Sequence, residues 1–189
     1  MNHKKEELQK LLEKNISQKE AFAFFDSLEP INITGMVGIW KGQELKTGHP
    51  MEGILEAANW YGKVFEDKDH VFPLVFETSS HKLYAGNPGK IYFKNLQKNL
   101  SPKAVSVLFP IISPFIKTKK SKARLRMMNY RGKTTAAMFY DQLAIIDVFR
   151  KVDDDTVMGI MDCKHDSSDK SFFFILEKQE TINKIEIVH

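Results

Sequence analysis

The sequence predicts a mainly β chain of the α+β kind, an antiparallel sheet that curls or closes into a barrel, with helices before it and inserted into it. Three observations lead there. The last third holds five short strand-like runs, 123–130, 133–140, 144–152, 156–162 and 172–177, with turn signals at Arg131-Gly132 and Asp153-Asp154-Asp155. Five consecutive strands argue for an antiparallel meander, and a meander of that length curls or closes to remove its edges. Earlier runs at 36–43, 71–77 and 82–85 have strand character as well.

The elements follow in order. Residues 3–14 read as a polar, weakly amphipathic helix. Ser17 followed by Glu20 is a capping-box pattern. It opens a second helix over 18–28 with Phe22, Phe25 and Leu28 on one face, which Pro30 ends. Residues 1–29 thus form a helical cap on a single unit spanning 30–189. The run 36–43 is a strand interrupted by Gly38 and Gly42, which mark a bulge or a close backbone approach. Residues 46–50 form a loop. Helical spacing of Ile54, Ala57, Ala58, Tyr61 and Phe65 predicts a helix over 51–65, with Trp60 beside that face. Strands follow at 71–77, 82–85 and 90–96, with a turn at Asn87-Pro-Gly89. Ser101-Pro102 is a helix start, Ser as N-cap and Pro at the first position. The apolar run 104–116 continues it, and Pro110 and Pro114 are expected to break or kink it.

With 189 residues the chain can bury one sizeable core, and its composition is that of a folded protein. Cys163 is the lone cysteine, so no internal disulfide forms and no Cys/His cluster has zinc spacing. The charged run 1–15 lacks the apolar core of a secretory signal, and no stretch approaches the roughly 18–20 apolar residues of a membrane helix. A reducing, cytoplasmic location fits. Net charge is only +4 but unevenly placed: between Glu77 and Asp141 there are thirteen Lys and Arg and no Asp or Glu. An anionic partner for the middle would account for that asymmetry, as would a basic patch facing an acidic patch of the same chain. Nucleic acid is disfavoured, because much of the interval is apolar and no recognised module appears.

Several residues invite a functional reading beside a structural one. Trp40 reads as a plug at one end of a barrel or as a ligand contact. Trp60 and Tyr61 are core, or pocket lining if the barrel is hollow. Arg124 and Arg126 share one strand face, with Tyr130 in the same parity. If that face is internal, a guanidinium there can hold a carboxylate or phosphate. Asp147 and Arg150 sit on opposite faces of an apolar strand, so one points inward and needs a partner, with Arg124, Arg126, Asp162 or a ligand available. The apolar run 104–116 followed by Lys117, Lys119, Lys120 and Lys122 suits an anionic membrane interface, or a kinked helix buried on the sheet. No nucleophile elbow or calcium-loop pattern is present, and the histidines at 49, 70, 81, 165 and 189 are scattered.

Gly38-Ile-Trp-Lys-Gly42 resembles the motif that names the GXWXG family of bacterial proteins. Thr47-Gly-His-Pro50, Trp60-Tyr-Gly62 and Pro73-Leu-Val-Phe76 look like the rest of that family's N-terminal module. Arg124-Leu-Arg126, Tyr130-Arg-Gly132, Ala136-Ala-Met138, Tyr140-Asp-Gln142, Ile145-Ile-Asp147, Phe149-Arg-Lys-Val-Asp153, Thr156-Val157 and Gly159-Ile-Met-Asp162 resemble its C-terminal companion. The resemblance covers roughly residues 30–178. It implies one continuous unit and carries no mechanism, since the family has no assigned activity. The Gly-x-Trp on a first strand after a short helix is also similar to the lipocalins, where the Trp closes one end of a ligand barrel against an Arg from a late strand. Trp40 and Arg150 are the corresponding candidates. The motif is similar too to nitrobindin-like haem barrels, whose further glycines are replaced here by Glu44 and Leu45.

The expected function is non-enzymatic binding of a hydrophobic, acidic small molecule such as a fatty acid or phospholipid, inside a lipocalin-like barrel and at anionic membrane surfaces. Trp40, Trp60, Tyr61, Arg126, Tyr130, Tyr140 and Arg150 are the candidate ligand contacts, 104–116 the portal, and no cofactor or metal is called for. Two alternatives stand: a haem-binding barrel with His165 or His81 as the ligand, and an enzyme with Tyr140, Asp147 or His49 as its acid–base group.

Overall fold

The computed structural model describes residues 3–91 and 101–180. Two helices come first, α1 (His3–Leu12) and α2 (Gln18–Ser27). Ser17 and Glu20 form the reciprocal capping box that the sequence predicts. A two-residue strand β1 (Glu29–Pro30), a single helical turn α3 (Ile33–Met36) and strand β2 (Gly38–Leu45) follow. Then come a short helix α4 (Ile54–Ala57), strands β3 (Trp60–Phe65), β4 (Val71–Glu77) and β5 (Leu83–Ala85), and a 3-10 turn at Pro88–Lys90. Helix α5 (Pro102–Ile116) leads into the five-stranded meander β6 (Ala123–Tyr130), β7 (Lys133–Tyr140), β8 (Ile145–Lys151), β9 (Thr156–Cys163) and β10 (Phe172–Lys178).

All ladders among the described residues are antiparallel, and the pairings come back to where they begin. From β8 the neighbours run β7, β6, β4, β3, β2, β10 and β9, and β9 pairs β8 again. Eight strands therefore form a ring, with β5 on the edge of β4 and β1 on the end of β8. The two joins between the N-terminal and C-terminal strands are unequal. β2 and β10 share six residue pairs, Trp40↔Lys178 through Leu45↔Phe173. β4 and β6 share one, Val71↔Ala123.

Strand alternation divides the side chains between two faces. Trp40, Trp60, Phe65, Leu74, Phe76, Leu125, Met138, Phe149, Phe172 and Phe174 pack together as the inner core. On the outer face of β7–β10, α1 and α2 lay Leu8, Phe24, Phe25 and Leu28 over Ala137, Val148, Ile160 and Phe173. A third cluster, with Tyr61, Val64, Phe72 and Val75, lies on the outer face of β3 and β4.

The five predicted strands of the last third stand within two residues of their expected limits. The helix expected over 51–65 does not form. Only Ile54–Ala57 is helical, and Trp60–Phe65 is a strand buried at all six positions. Packed on both faces, β3 shows no alternation, and periodicity alone does not separate such a strand from a helix. Left-handed backbone at Gly53 and Asn59, φ 79° and 55°, brackets the short turn and stops it growing. The strand expected over 90–96 lies beyond Ile91 outside the described residues, and Lys90 itself closes the 3-10 turn. α5 starts at the Ser101 cap as expected but runs through both prolines. Pro114 cannot donate to the carbonyl of Pro110, and the Ser113 hydroxyl does so instead at 3.1 Å.

Candidate functional site

Three ionisable side chains meet inside the ring. Lys63 on β3 puts its ammonium 2.8 Å from Asp147 on β8, with both side chains 3% exposed. The same ammonium donates to the carbonyl of Pro73 at 3.1 Å and lies 3.5 Å from the Tyr140 hydroxyl on β7. Its remaining surroundings are aromatic: it sits 5.1 Å from the Phe174 ring centre and 5.7 Å from those of Trp60 and Tyr140.

A bulge makes this possible. Trp60 and Lys63 are three apart, a spacing that sends side chains to opposite faces of a regular strand. The β3–β4 register slips on both sides of Gly62, and the slip turns both residues inward. Gly62 has φ 149°, and a Cβ there would run into the carbonyl of Trp40 on the neighbouring strand. Gly42 serves the same interior differently. The Trp60 indole lies across it, in the space a Cβ would take.

The cluster borders a cavity of about 20 Å³ lined by Trp60, Lys63, Tyr140, Asp147, Met51 and Leu55, among others. That is room for about one water molecule. The Trp60 indole N–H is buried with no hydrogen-bond partner among the described residues. Burial pushes the Asp147 carboxyl up from its ordinary pKa, against the pull of Lys63. Burial also pushes the Tyr140 phenol well above its ordinary value, and the neighbouring Asp147 charge adds to this.

Each end of the interior has its own closure. Where β2 starts, the Trp40 indole donates to the Met36 carbonyl of α3 at 2.7 Å, and the Trp is wholly buried. Where β2 ends, the buried Glu44 carboxylate receives the N–H groups of Gly53 and Leu55, which pins α4 over the cavity. α5 packs outside α4, with Phe109 4.8 Å from Phe76. Burial raises the Glu44 pKa although these N–H groups pull it down.

Only part of the predicted site converges here. Trp60 and Tyr140 line the cavity. Tyr61 points to the outer face of β3, buried among Val64 and Val75, because alternation parts it from Trp60. Arg126 is on the outside, held by Asp69 at 2.8 Å and the Lys68 carbonyl at 3.1 Å. Its strand face is the outer one, as Ala123 and Leu125 take the inner positions. Arg150 also faces out. It is fully buried beneath α2, over the Phe25 ring, and donates to the Tyr130 carbonyl at 2.7 Å. Its Nε and Nη1 have no partner among the described residues. Arg150 therefore does not meet Trp40; the cation over that ring is Lys178, at 5.5 Å. Tyr130 packs edge-on to Phe25 on the same outer face.

The partner of Asp147, expected to be Arg124, Arg126, Asp162 or a ligand, is Lys63, which the sequence pattern did not single out. Its signal was present: one charge inside the apolar run 60–65. The predicted haem ligands lie at the surface, His81 with a side chain 87% exposed and His165 exposed as well. His49 is buried, but both ring nitrogens are engaged, one with Asp166 at 2.8 Å and one with the Met51 N–H at 3.1 Å. Among the described residues no three His, Cys, Asp or Glu converge as metal ligands, and no helix is long and apolar enough to cross a membrane.

Residues 23–80 match the GXWXG protein family, and residues 121–178 match a domain of unknown function, DUF4334. No curated protein matches the chain. Among solved structures, a crystal structure of a protein from Thermomonospora curvata is 29% identical, covering 94% of this chain and 99% of that one, with a TM-score of 0.69.

Proposed function

We propose that this chain, whose residues 23–80 and 121–178 match the GXWXG and DUF4334 models, closes its ring of strands as a lipocalin-like barrel that binds the acidic end of a hydrophobic small molecule without altering it. The observation that carries this reading is Lys63, an ammonium set among Trp60, Tyr140 and Phe174 beside an indole N–H that has no partner among the described residues. Apolar walls with a few converging polar groups are the ordinary composition of a small-molecule site. A carboxylate or phosphate that displaces Asp147 or Tyr140 from Lys63 would meet a cation there and a neutral donor at Trp60.

On this reading the cavity of about 20 Å³ belongs to a closed state. A fatty-acid-sized ligand needs a few hundred Å³, so entry displaces Met51 and Leu55, the two lining residues supplied by the α4 segment. Helix α5, packed on α4, is the outer leaf of the same lid.

Native mass spectrometry of freshly purified protein, followed by denaturing extraction, tests this reading. The expected result is a bound fatty acid or phospholipid that is lost when Lys63→Met is combined with Asp147→Leu, while the circular dichroism spectrum is kept. An apo mass, with Trp fluorescence indifferent to added fatty acids, would count against it.

The Lys63–Asp147–Tyr140 cluster also favours a second reading, an enzyme for a small hydrophobic substrate. Perturbed acid–base groups gathered at a buried cavity are a common signature of catalysis. Turnover abolished by Tyr140→Phe in a folded protein would favour that reading over simple binding.

A further inference from the structure

Helix α5 carries two apolar faces, and only one is packed against the described residues. Val105, Phe109 and Ile116 face inward and are buried against Phe76, Tyr84 and the α4 turn. Val107, Leu108, Ile111, Ile112 and Phe115 form a second stripe along the outside, at successive helical turns. Phe115 is 75% exposed, Val107 68% and Ile111 65%. A contiguous apolar stripe of this kind on a protein surface marks an interaction site.

The charges around the stripe identify what it meets. Lys103 lies in the first turn of α5 and is exposed; Lys117, Lys119 and Lys120 follow the last turn and are exposed. None of the four makes an ion pair with a described residue. Lys90 donates to the Phe115 carbonyl at 2.9 Å, adding a fifth ammonium at the same end. No Asp or Glu occurs between Glu77 and Asp141.

We infer that α5 docks the protein on an anionic lipid surface, its outer stripe entering the acyl boundary and its lysines meeting the headgroups. At 1.5 Å per residue the helix is roughly 22 Å long, enough to lie flat and too short to span. An apolar helix face flanked by Lys is the composition of an interfacial helix. A second copy is a poorer occupant, because two-fold pairing of this face sets lysine against lysine, cluster on cluster if the helices run parallel and cluster on Lys103 if they run antiparallel. The inference rests on the outside of α5 alone and stands whether or not the interior holds a ligand.

Flotation of the full chain with phosphatidylcholine vesicles, with and without phosphatidylserine, tests it. The expected result is binding to the phosphatidylserine vesicles only, weakened by added salt. Lys119→Glu with Lys120→Glu should lower the partition coefficient about tenfold or more. Ile111→Ser with Phe115→Ser should lower it by about tenfold as well. Both pairs lie on the solvent side, so the circular dichroism melt reports that the fold is intact. The inference is overturned by absent or charge-independent vesicle binding, or by an Ile111/Phe115 variant that binds as wild type does. It is equally overturned by a solution dimer that the Ile111/Phe115 change dissolves with no vesicle binding, which would assign the face to a second copy.

Discussion

Lys63 Nζ and Asp147 Oδ2 lie 2.8 Å apart inside the strand ring, on strands that are not neighbours, with both side chains 3% exposed. The pair crosses the interior, so removing one partner strands the other. Lys63→Met or Asp147→Asn should each cost about 3–5 kcal/mol, the usual penalty for an uncompensated buried charge. Replacing both together, Lys63→Met with Asp147→Leu, should be neutral or stabilising, by up to about 4 kcal/mol. Urea denaturation of the three variants measures this, and a double variant as damaged as the singles would contradict it.

The same carboxyl gives a pH dependence of definite sign. The folded-state pKa of Asp147 is raised above its ordinary 3.8. Its contribution to stability is therefore fully present below about 3.8 and is lost as pH rises through the raised folded value. Titrating stability from acid to neutral pH should show this loss in wild type and not in Asp147→Asn.

At the surface the sign reverses. Arg131 in the β6–β7 turn holds Asp26 of α2 through two hydrogen bonds, 2.7 and 2.6 Å, and lowers its pKa. Stability from this pair is present above the unfolded carboxyl value and is lost as pH falls through the lowered folded one. With both side chains about 40% exposed, Asp26→Asn should cost no more than about 1 kcal/mol. Its midpoint should converge on that of wild type in acid.

Gly62→Ala should be far more harmful than its size suggests. It combines a φ of 149° with a Cβ aimed at the Trp40 carbonyl. A loss of about 3 kcal/mol or more, or failure to fold, is expected. Gly42→Ala only displaces the Trp60 ring and should cost about 1–3 kcal/mol, with altered Trp emission as the local readout.

Arg150 offers the opposite test. It is buried, with Nε and Nη1 unpaired among the described residues, and burial pulls its pKa below the ordinary value. Arg150→Met keeps the packing over Phe25 and removes two unsatisfied donors, so it should be neutral or stabilising by about 1 kcal/mol. A large loss of stability in a guanidinium melt would show that the single bond to the Tyr130 carbonyl outweighs both.

The meander was legible because its strands alternate and its turns are punctuated by Arg131-Gly132 and the Asp153–Asp155 run. β3 was hidden because it is buried on both faces, and Lys63 was hidden with it. Asp147 announced itself as a charge in an apolar strand, but its partner lies some eighty positions earlier, and no local pattern spans that gap. The direction of Arg126 depended on which face of β6 turns inward, and parity alone leaves that choice open. Trp60 and Lys63 share a face only because of the Gly62 bulge, a register slip that a period-of-two reading does not contain.

The six-pair join of β2 to β10 has a consequence for how the chain is made. While the ribosome is still delivering the middle of the chain, β2 has one edge covered by β3 and the other bare. Its proper neighbour, residues 172–178, is translated more than a hundred codons later. The unpaired edge is an invitation to foreign strands throughout that interval. Split between β5 and α5, the molecule should yield two fragments that are each insoluble alone and recover the ring when co-expressed.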